Sequence, residues 1–246
     1  SKALFDDLGP YDPTQWRLGR YDATLGDVRE FPDIPAFNPG RGFWLITRYG
    51  DRFGAAGYSV RPDTTCNGVP CYQVAVDSGW NQLANPFAFD ISFSDMRFVH
   101  NSNLYGHDPE IIDDVAYAFD GNGFFIADIL PAWEGFFLYV KKPNVVVLFP
   151  YIEAGAVPPP AMKTVSPLPR NEDWQISLTL QVGDMIDKDN IFGVHPDATD
   201  SIDVLDYREP PPPPDAPYLA FQPLGNIDGH YRCDLRSPIC EEYRFD

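Results

Sequence analysis

The sequence is poor in the residues that build helices. Of its 246 residues only 8 are Glu, 5 are Lys and 3 are Met, whereas 28 are Asp, 26 are Pro and 19 are Gly. Asp, Pro and Gly favour turns over helix interiors, and proline is about twice as frequent here as in an average protein. The composition therefore excludes a helical bundle or a coiled coil.

Positive charge is also scarce. The chain has 18 Lys and Arg against 36 Asp and Glu, so its formal net charge is -18. Such an acid excess is repelled by nucleic-acid phosphates and by anionic lipids, and we expect neither as a partner. With 44% hydrophobic and 15% aromatic residues the chain can still build a core, which excludes wholesale disorder.

Long apolar runs, targeting signals and glycosylation sequons are missing as well. No stretch of 18 apolar residues occurs, which predicts no membrane insertion. There is no signal peptide, so if the protein is exported its leader has been removed or lies outside this sequence. The absence of any N-x-Ser/Thr sequon mildly favours a bacterial source.

The four cysteines form two close pairs, Cys66 with Cys71 and Cys233 with Cys240. The intervening four and six residues are more than a C-x2-C zinc knuckle has, and no histidine lies near in a ligand-like register. This favours two local disulfides, with free thiols or a metal site as alternatives. Disulfides indicate an oxidising compartment, so we expect an extracellular or cell-surface protein.

Segments rich in aromatic and β-branched residues, most of them alternating, fill residues 1–155. They are 15–21, 42–49, 72–78, 86–99, 113–119, 123–130, 135–140 and 144–149. Turn sequences such as NPGRG and DGNG separate them, and this spacing predicts an antiparallel β-sandwich. One segment could instead be a helix, with Asp108 as N-cap and Pro109 at the first position.

A proline-rich connector is predicted at 156–172, followed by a second antiparallel β-sandwich at 173–246. Its first strand alternates cleanly over 173–182, an acidic loop follows at 184–190, and further strands are expected near 218–222, 230–236 and 241–246. Five consecutive prolines at 210–214 are interpreted as a bridge between two strands, with a ligand for a proline-reading domain as the alternative. The fold class is therefore all-β, with two antiparallel sandwiches and the second one incomplete.

Catalytic signatures are weak. There is no G-x-S-x-G elbow, and the histidines lack metal-ligand spacing. They are His100, His107, His195 and His230. Asp90 and Asp95 could be considered for glycoside hydrolysis, but in a strand they would point to opposite faces. We expect a protein that is not an enzyme.

One polar loop has residues suited to calcium: Asp184, Asp187, Asp189 and Asn190. Calcium prefers such oxygen ligands, although the glycine and glutamate of an EF-hand are missing. The alternative is a solvated turn whose Asp side chains cap their own backbone amides. No other cofactor is expected.

Five tryptophans raise the question of sugar stacking. Trp44, Trp80 and Trp133 are the candidates, since exposed rings on one sheet face can stack on glycans. Because they lie in or beside strands, core packing is the alternative interpretation. A carbohydrate-binding module of a secreted enzyme is therefore the second functional hypothesis.

Four segments resemble a known group of proteins. They are NPGRGFWLI (38–46), GWNQLANPFAF (79–89), LPAWEGFFLYV (130–140) and DNIFGVHPDATDSIDVLDYREPPPPP (189–214). They are similar, in the same order, to β-sandwich stalk or anchoring modules of large secreted bacterial surface proteins, often associated with type IX secretion. The resemblance implies a non-catalytic structural or adhesive role and supplies no catalytic residues. The motif residues Asn81 and Asn85 are predicted to cap neighbouring loop amides. The motif glycines are predicted to allow tight turns or close backbone approach, and they are Gly40, Gly42, Gly79 and Gly135.

The resemblance also implies further strands before residue 6 and after residue 246. Either the chain is a fragment of a longer surface protein, which we favour, or another copy or an adjacent domain supplies a strand by β-strand addition. In the second case the protein would be a subunit of a polymeric, filament-like surface assembly.

Overall fold

The computed structural model describes residues 6–34, 37–50, 60–121, 123–155, 174–183, 185–222 and 229–238. Regular secondary structure in these ranges is strand apart from a short helical turn at 6–8 and a turn of 3-10 helix at Phe93–Asp95, which confirms the all-β class. The chain divides into two compact units, 1–119 with 124–162 and 120–123 with 163–246. The predicted connector at 156–172 lies outside the described residues.

The first unit contains four antiparallel sheets. Its strands are β1 (Trp16–Asp22), β2 (Asp27–Glu30), β3 (Trp44–Thr47), β4 (Thr64–Cys66), β5 (Val69–Val76), β6 (Gly79–Ala84), β7 (Ile91–Ser92), β8 (Arg97–His100), β9 (Asn103–Tyr105), β10 (Tyr117–Phe119), β11 (Phe124–Ile126), β12 (Ile129–Leu130), β13 (Gly135–Val140) and β14 (Val145–Pro150). The strand orders are β2-β1-β3, β11-β10-β13-β6, β12-β7 and β4-β5-β14-β8-β9.

The main core lies between the four-stranded and the five-stranded sheet. Alternation in β13 places Phe136, Leu138 and Val140 on one face, where they pack against valines of β5 and β14. Leu138 and Val147 are fully excluded from water. These two sheets are the two layers of the predicted sandwich.

The opposite face of the four-stranded sheet is aromatic, and residues of a further sheet pack on it. Tyr117 and Phe137 are buried there, and Tyr21 of β1 and Trp44 of β3 pack on them. The sheet β2-β1-β3 therefore acts as a third layer. Strand alternation predicted one buried face, whereas β13 is covered on both because its outward residues are also large and apolar.

Three predicted elements of the first unit differ from the structure. The segment 86–99 is broken into β7, the 3-10 turn and β8, and the segment 123–130 is broken into β11 and β12. The helix considered as an alternative from Asp108 does not form. Asp108 instead closes a single turn, in which its carbonyl accepts from the Ile111 and Ile112 N–H groups and its side chain accepts from Glu110 N–H. Ile112 then bridges to Val140, which ends the turn.

The second unit has one described sheet of three strands, in the order β15-β16-β17. They are β15 (Trp174–Val182), β16 (Met185–Val194) and β17 (Cys233–Arg236). β15 and β16 are antiparallel, but β17 joins β16 in parallel, so the sheet is mixed. Among the described residues, neither unit has a helix long and apolar enough to span a membrane.

The acidic loop predicted at 184–190 is largely strand, and that expectation was wrong. The acidic residues fit into β16 because the strand contains a β-bulge, in which Lys188 and Asp189 lie opposite the single residue Thr179 of β15. Asp189 has a φ of 66° there. The predicted strand at 218–222 is reduced to a single bridge between Phe221 and Tyr231, and 241–246 lies outside the described residues. Arg208, before the proline run, bridges to the same Tyr231.

Two motif glycines allow close backbone contact. A Cβ on Gly42 would lie 2.5 Å from the carbonyl oxygen of Leu83 in β6, as the sequence predicted. A Cβ on Gly193, in the DNIFG segment, would overlap the carbonyl oxygen of Trp174 in β15. A side chain at position 42 would push this segment away from β6, and a side chain at position 193 would push β16 away from β15.

Candidate functional site

The first predicted cysteine pair is a disulfide. Cys66 at the end of β4 and Cys71 in β5 are bonded, with Cα atoms 6.1 Å apart, and they pack with Leu148. Cys233 in β17 is a buried, unbridged cysteine, while Cys240 lies outside the described residues, so a second bridge stays a prediction. Burial, together with the nearby Asp206 charge, raises the pKa of the Cys233 thiol to about 12.

The asparagines of the GWNQLANPF segment cap backbone groups as predicted. Asn81 accepts from Asp77 N–H at 3.2 Å and donates to the carbonyls of Asp77 and Gly79. Asn85 is almost fully buried and makes three hydrogen bonds. It accepts from Phe87 N–H and donates to the carbonyl oxygens of Phe89 and Leu130, at 2.8–3.0 Å. The motif is therefore a structural clamp around the end of β6.

The three candidate stacking tryptophans have different environments. Trp44 and Trp80 are half-buried in the aromatic layer, and both make edge or tilted contacts with Phe137. Trp133 lies in the turn before β13, is 68% exposed and takes a φ of 68°. Only Trp133 of the three presents most of its ring to solvent.

The carboxylates considered for catalysis, and one histidine near them, can be located within the described residues. Asp90 accepts a hydrogen bond from Ala132 N–H, and Asp95 lies in the 3-10 turn. His107 has both ring nitrogens engaged, Nδ1 with Asp114 at 2.5 Å and Nε2 with the Phe93 carbonyl at 2.9 Å. Both ring nitrogens are therefore occupied by contacts within the protein, which is the arrangement of a histidine that holds neighbouring segments together.

The candidate calcium residues are partly brought together. Asp187 accepts from Asn190 Nδ2 at 2.9 Å and from Leu219 N–H at 2.5 Å. Asn190 is fully buried, Asp189 is the exposed bulge residue, and Asp184 lies outside the described residues. Within the described ranges no group of three or more His, Cys, Asp or Glu is arranged to hold a metal. Calcium stays a prediction, which thermal unfolding with and without chelator tests.

A polar pocket of about 240 Å³, hereafter the arginine pocket, was not predicted. Its wall includes Arg20, Asp22, Arg41, Asp77, Trp80 and Gln82. The Gln82 side chain accepts from Tyr21 N–H at 2.8 Å and so ties β1 to β6 beneath it. No sequence signal brings these residues together, because they come from β1, the turn before β3 and the β5–β6 connection.

Some charged groups of the arginine pocket form ion pairs and others do not. Asp22 is neutralised by Arg29, with Oδ2 and Nε 2.6 Å apart. Arg41 donates to the Ala75 carbonyl, and the guanidinium of Arg20 lies 5.8 Å from the centre of the Phe43 ring. Among the described residues neither Arg20 nor Arg41 has a carboxylate oxygen within 4.0 Å.

The pKa values of both arginines are lowered. Partial burial is the main cause for Arg20 and for Arg41, and the positive charge of Arg20 adds to the effect on Arg41. Two carboxylates act in the opposite direction: Asp22 and, to a smaller extent, Asp77 raise the pKa of Arg20, and Asp77 also raises the pKa of Arg41.

The hairpin β15–β16 is the most apolar exposed surface of the second unit. Ile176 and Val182 of β15 are 46% and 52% exposed, and Met185 and Ile186 of β16 are also exposed. Alternation along β15 predicted a buried face, but the described residues leave that face largely open. In the described part of the chain β15 pairs on one side only, with β16.

Comparison with known proteins gives no match to any family model, curated protein or solved structure.

Proposed function

We propose that the protein is a non-catalytic, extracellular structural or adhesive surface protein, and that copies assemble by β-strand addition at β15. The observation that supports this most is β15 itself, a nine-residue strand at the sheet edge that carries exposed Ile176 and Val182. Natural proteins usually protect such an edge with charge, proline or a covering segment. An added strand would satisfy its backbone groups and cover its apolar side chains together.

The occupant we propose is a strand of a second copy. The edge can be filled only by extended backbone, because the N–H and C=O groups of β15 that have no strand partner among the described residues repeat at strand spacing. The disulfide Cys66–Cys71 fits an oxidising compartment, and the resemblance to bacterial surface modules supports the same role.

Mass measurement across a concentration series tests the proposal. We expect species larger than one chain in light scattering or sedimentation, and filaments or ladders in electron microscopy. Changing Ile176→Lys and Val182→Lys should prevent assembly, because both side chains are exposed and the charges would have to be buried by the added strand.

The matched control is Val204→Lys, which adds charge at an apolar residue that is 89% exposed in the same unit. It should leave assembly unchanged. A protein that stays monomeric at every concentration contradicts the proposal, and so does assembly that survives the double lysine change.

Carbohydrate binding is a second candidate, and the observation that favours it is the exposed Trp133 ring. A glycan array distinguishes the two functions. Binding lost in Trp133→Ala, with unchanged unfolding temperature and unchanged assembly, would select carbohydrate recognition at this turn.

A further inference from the structure

We propose that the arginine pocket binds the carboxylate of a single sugar acid, such as a hexuronate, through the guanidinium groups of Arg20 and Arg41. This goes beyond the assembly edge and the Trp133 ring, because the pocket includes neither. The volume of the pocket, its charges and its wall residues support this ligand.

The pocket carries unbalanced charge. Among the described residues neither Arg20 nor Arg41 has an ion-pair partner, which is unusual for half-buried arginines, since buried cations are normally paired. Asp22 is paired with Arg29 and also acts on Arg20, so the charges to count are those of Arg20, Arg29 and Arg41 against those of Asp22 and Asp77. They sum to one positive charge in a chain whose net charge is -18. The pocket is therefore a local positive site that one anionic group would balance.

The charges of the pocket also limit which anion fits. A guanidinium group donates in a planar fork that matches a carboxylate. Asp22 and Asp77 both act on the arginines of the pocket, so a phosphate dianion would be repelled by their carboxylates and would exceed the available positive charge. A monoanion is favoured, and a carboxylate is the monoanion that the planar fork fits.

The size and wall of the pocket indicate what the rest of the ligand is. The pocket volume of about 240 Å³ is below the roughly 300–1,000 Å³ of sites for drug-sized molecules, which limits the ligand to about one sugar ring. Trp80 offers an apolar wall for the C–H face of a ring, and Asp77 can accept hydrogen bonds from hydroxyl groups. Together with the arginines, these groups fit a sugar acid better than a bare anion.

The experiment is calorimetric or NMR titration of the full chain with sodium glucuronate, glucose, acetate and inorganic phosphate. We expect glucuronate to bind at least tenfold more tightly than glucose or acetate, which is about 1.4 kcal/mol. Arg20→Gln should weaken glucuronate at least tenfold. The Arg20 side chain makes no hydrogen bond within the described residues, and the substitution leaves the backbone pairing of β1 in place, so the variant should fold normally.

The control is Arg48→Gln, the same charge change at an exposed arginine outside the pocket. It should bind glucuronate as the native protein does. Equal binding of glucose and glucuronate, tighter binding of phosphate, or unchanged glucuronate binding in Arg20→Gln would each overturn the proposal. None of these outcomes bears on assembly at β15, whose test uses Ile176 and Val182.

Discussion

Arg232 and Glu209 form a close pair in the interior of the second unit. Nε of Arg232 lies 3.8 Å from Oε2 of Glu209, and the two side chains are 11% and 5% exposed. Burial is the largest influence on the Glu209 carboxyl, and the charge of Asp187 acts in the same direction. The arginine opposes both, but the pKa of Glu209 is still raised to about 8.

The stability of the second unit should therefore decrease as the pH rises. In the folded chain Glu209 keeps its proton up to about pH 8, whereas the unfolded chain releases it near the ordinary value of 4.5. The unfolded state thus binds fewer protons between these values, and its stabilisation relative to the folded state grows through this window. Asp206, whose pKa burial raises to about 6, acts in the same direction at lower pH.

Calorimetric unfolding of the full chain at pH 5, 6, 7 and 8 measures this effect. Glu209→Gln should remove most of the loss between pH 6 and 8 and should reduce the loss below pH 6 to the part that Asp206 causes, because both carboxyls contribute there. Asp200→Asn, a change at an exposed carboxylate of the same unit, should leave the whole profile unchanged. Stability that is constant or rises from pH 6 to 8 would show that Glu209 is ionised in the fold.

The Asn85 clamp gives a second prediction. Asn85→Ala should destabilise the first unit by about 3 kcal/mol, because three buried backbone groups lose their partner at once. Denaturant unfolding measures the difference. Asn103→Ala, at an exposed position in β9, should change the unfolding free energy by less than about 0.5 kcal/mol. A similar loss in both variants would mean that the clamp adds nothing specific.

Local sequence patterns predicted most strands of the first unit, because alternation and turn residues act over a few positions. β13 was predicted at its observed bounds, 135–140. The third layer over Phe137 was not predictable, since it depends on β1 and β3 returning across 90 or more residues. The bulge that lets acidic residues enter β16 was missed for a related reason: its register is set by the pairing with β15, not by its own composition.

The same dependence on contacts between distant parts of the sequence explains which site residues could be predicted and which could not. The asparagine caps of neighbouring amides were predictable because those amides lie within a few residues, whereas the bond from Asn85 to the Leu130 carbonyl, 45 residues away, was not. The arginine pocket was not, because Arg20, Arg41 and Asp77 meet only after β1 packs beside β6. Burial of Glu209 next to a proline run likewise has no local signal.

Thiol chemistry gives a third prediction. Under denaturing conditions without reductant, Cys66 and Cys71 should resist alkylation, and peptide mapping should find them joined. Reduction should lower the stability of the first unit by about 2 kcal/mol, the chain-entropy value for so short a loop. In the native protein Cys233 should also resist alkylation, because it is buried and its pKa is raised. Alkylation of Cys66 before reduction would contradict the bridge.

The tryptophans give the fourth prediction, which separates core packing from surface recognition. Trp44→Ala should destabilise the first unit by about 3 kcal/mol, because its ring packs on Phe119, Phe124 and Phe137 between two layers. Trp133→Ala should change stability by less than about 0.5 kcal/mol, since its ring is 68% exposed. The two variants remove the same side chain from the same unit, so equilibrium unfolding compares them directly. If Trp44→Ala were neutral, the β2-β1-β3 sheet would not be a packed third layer. If Trp133→Ala were as costly as Trp44→Ala, the Trp133 ring would be part of the core and unavailable to a glycan.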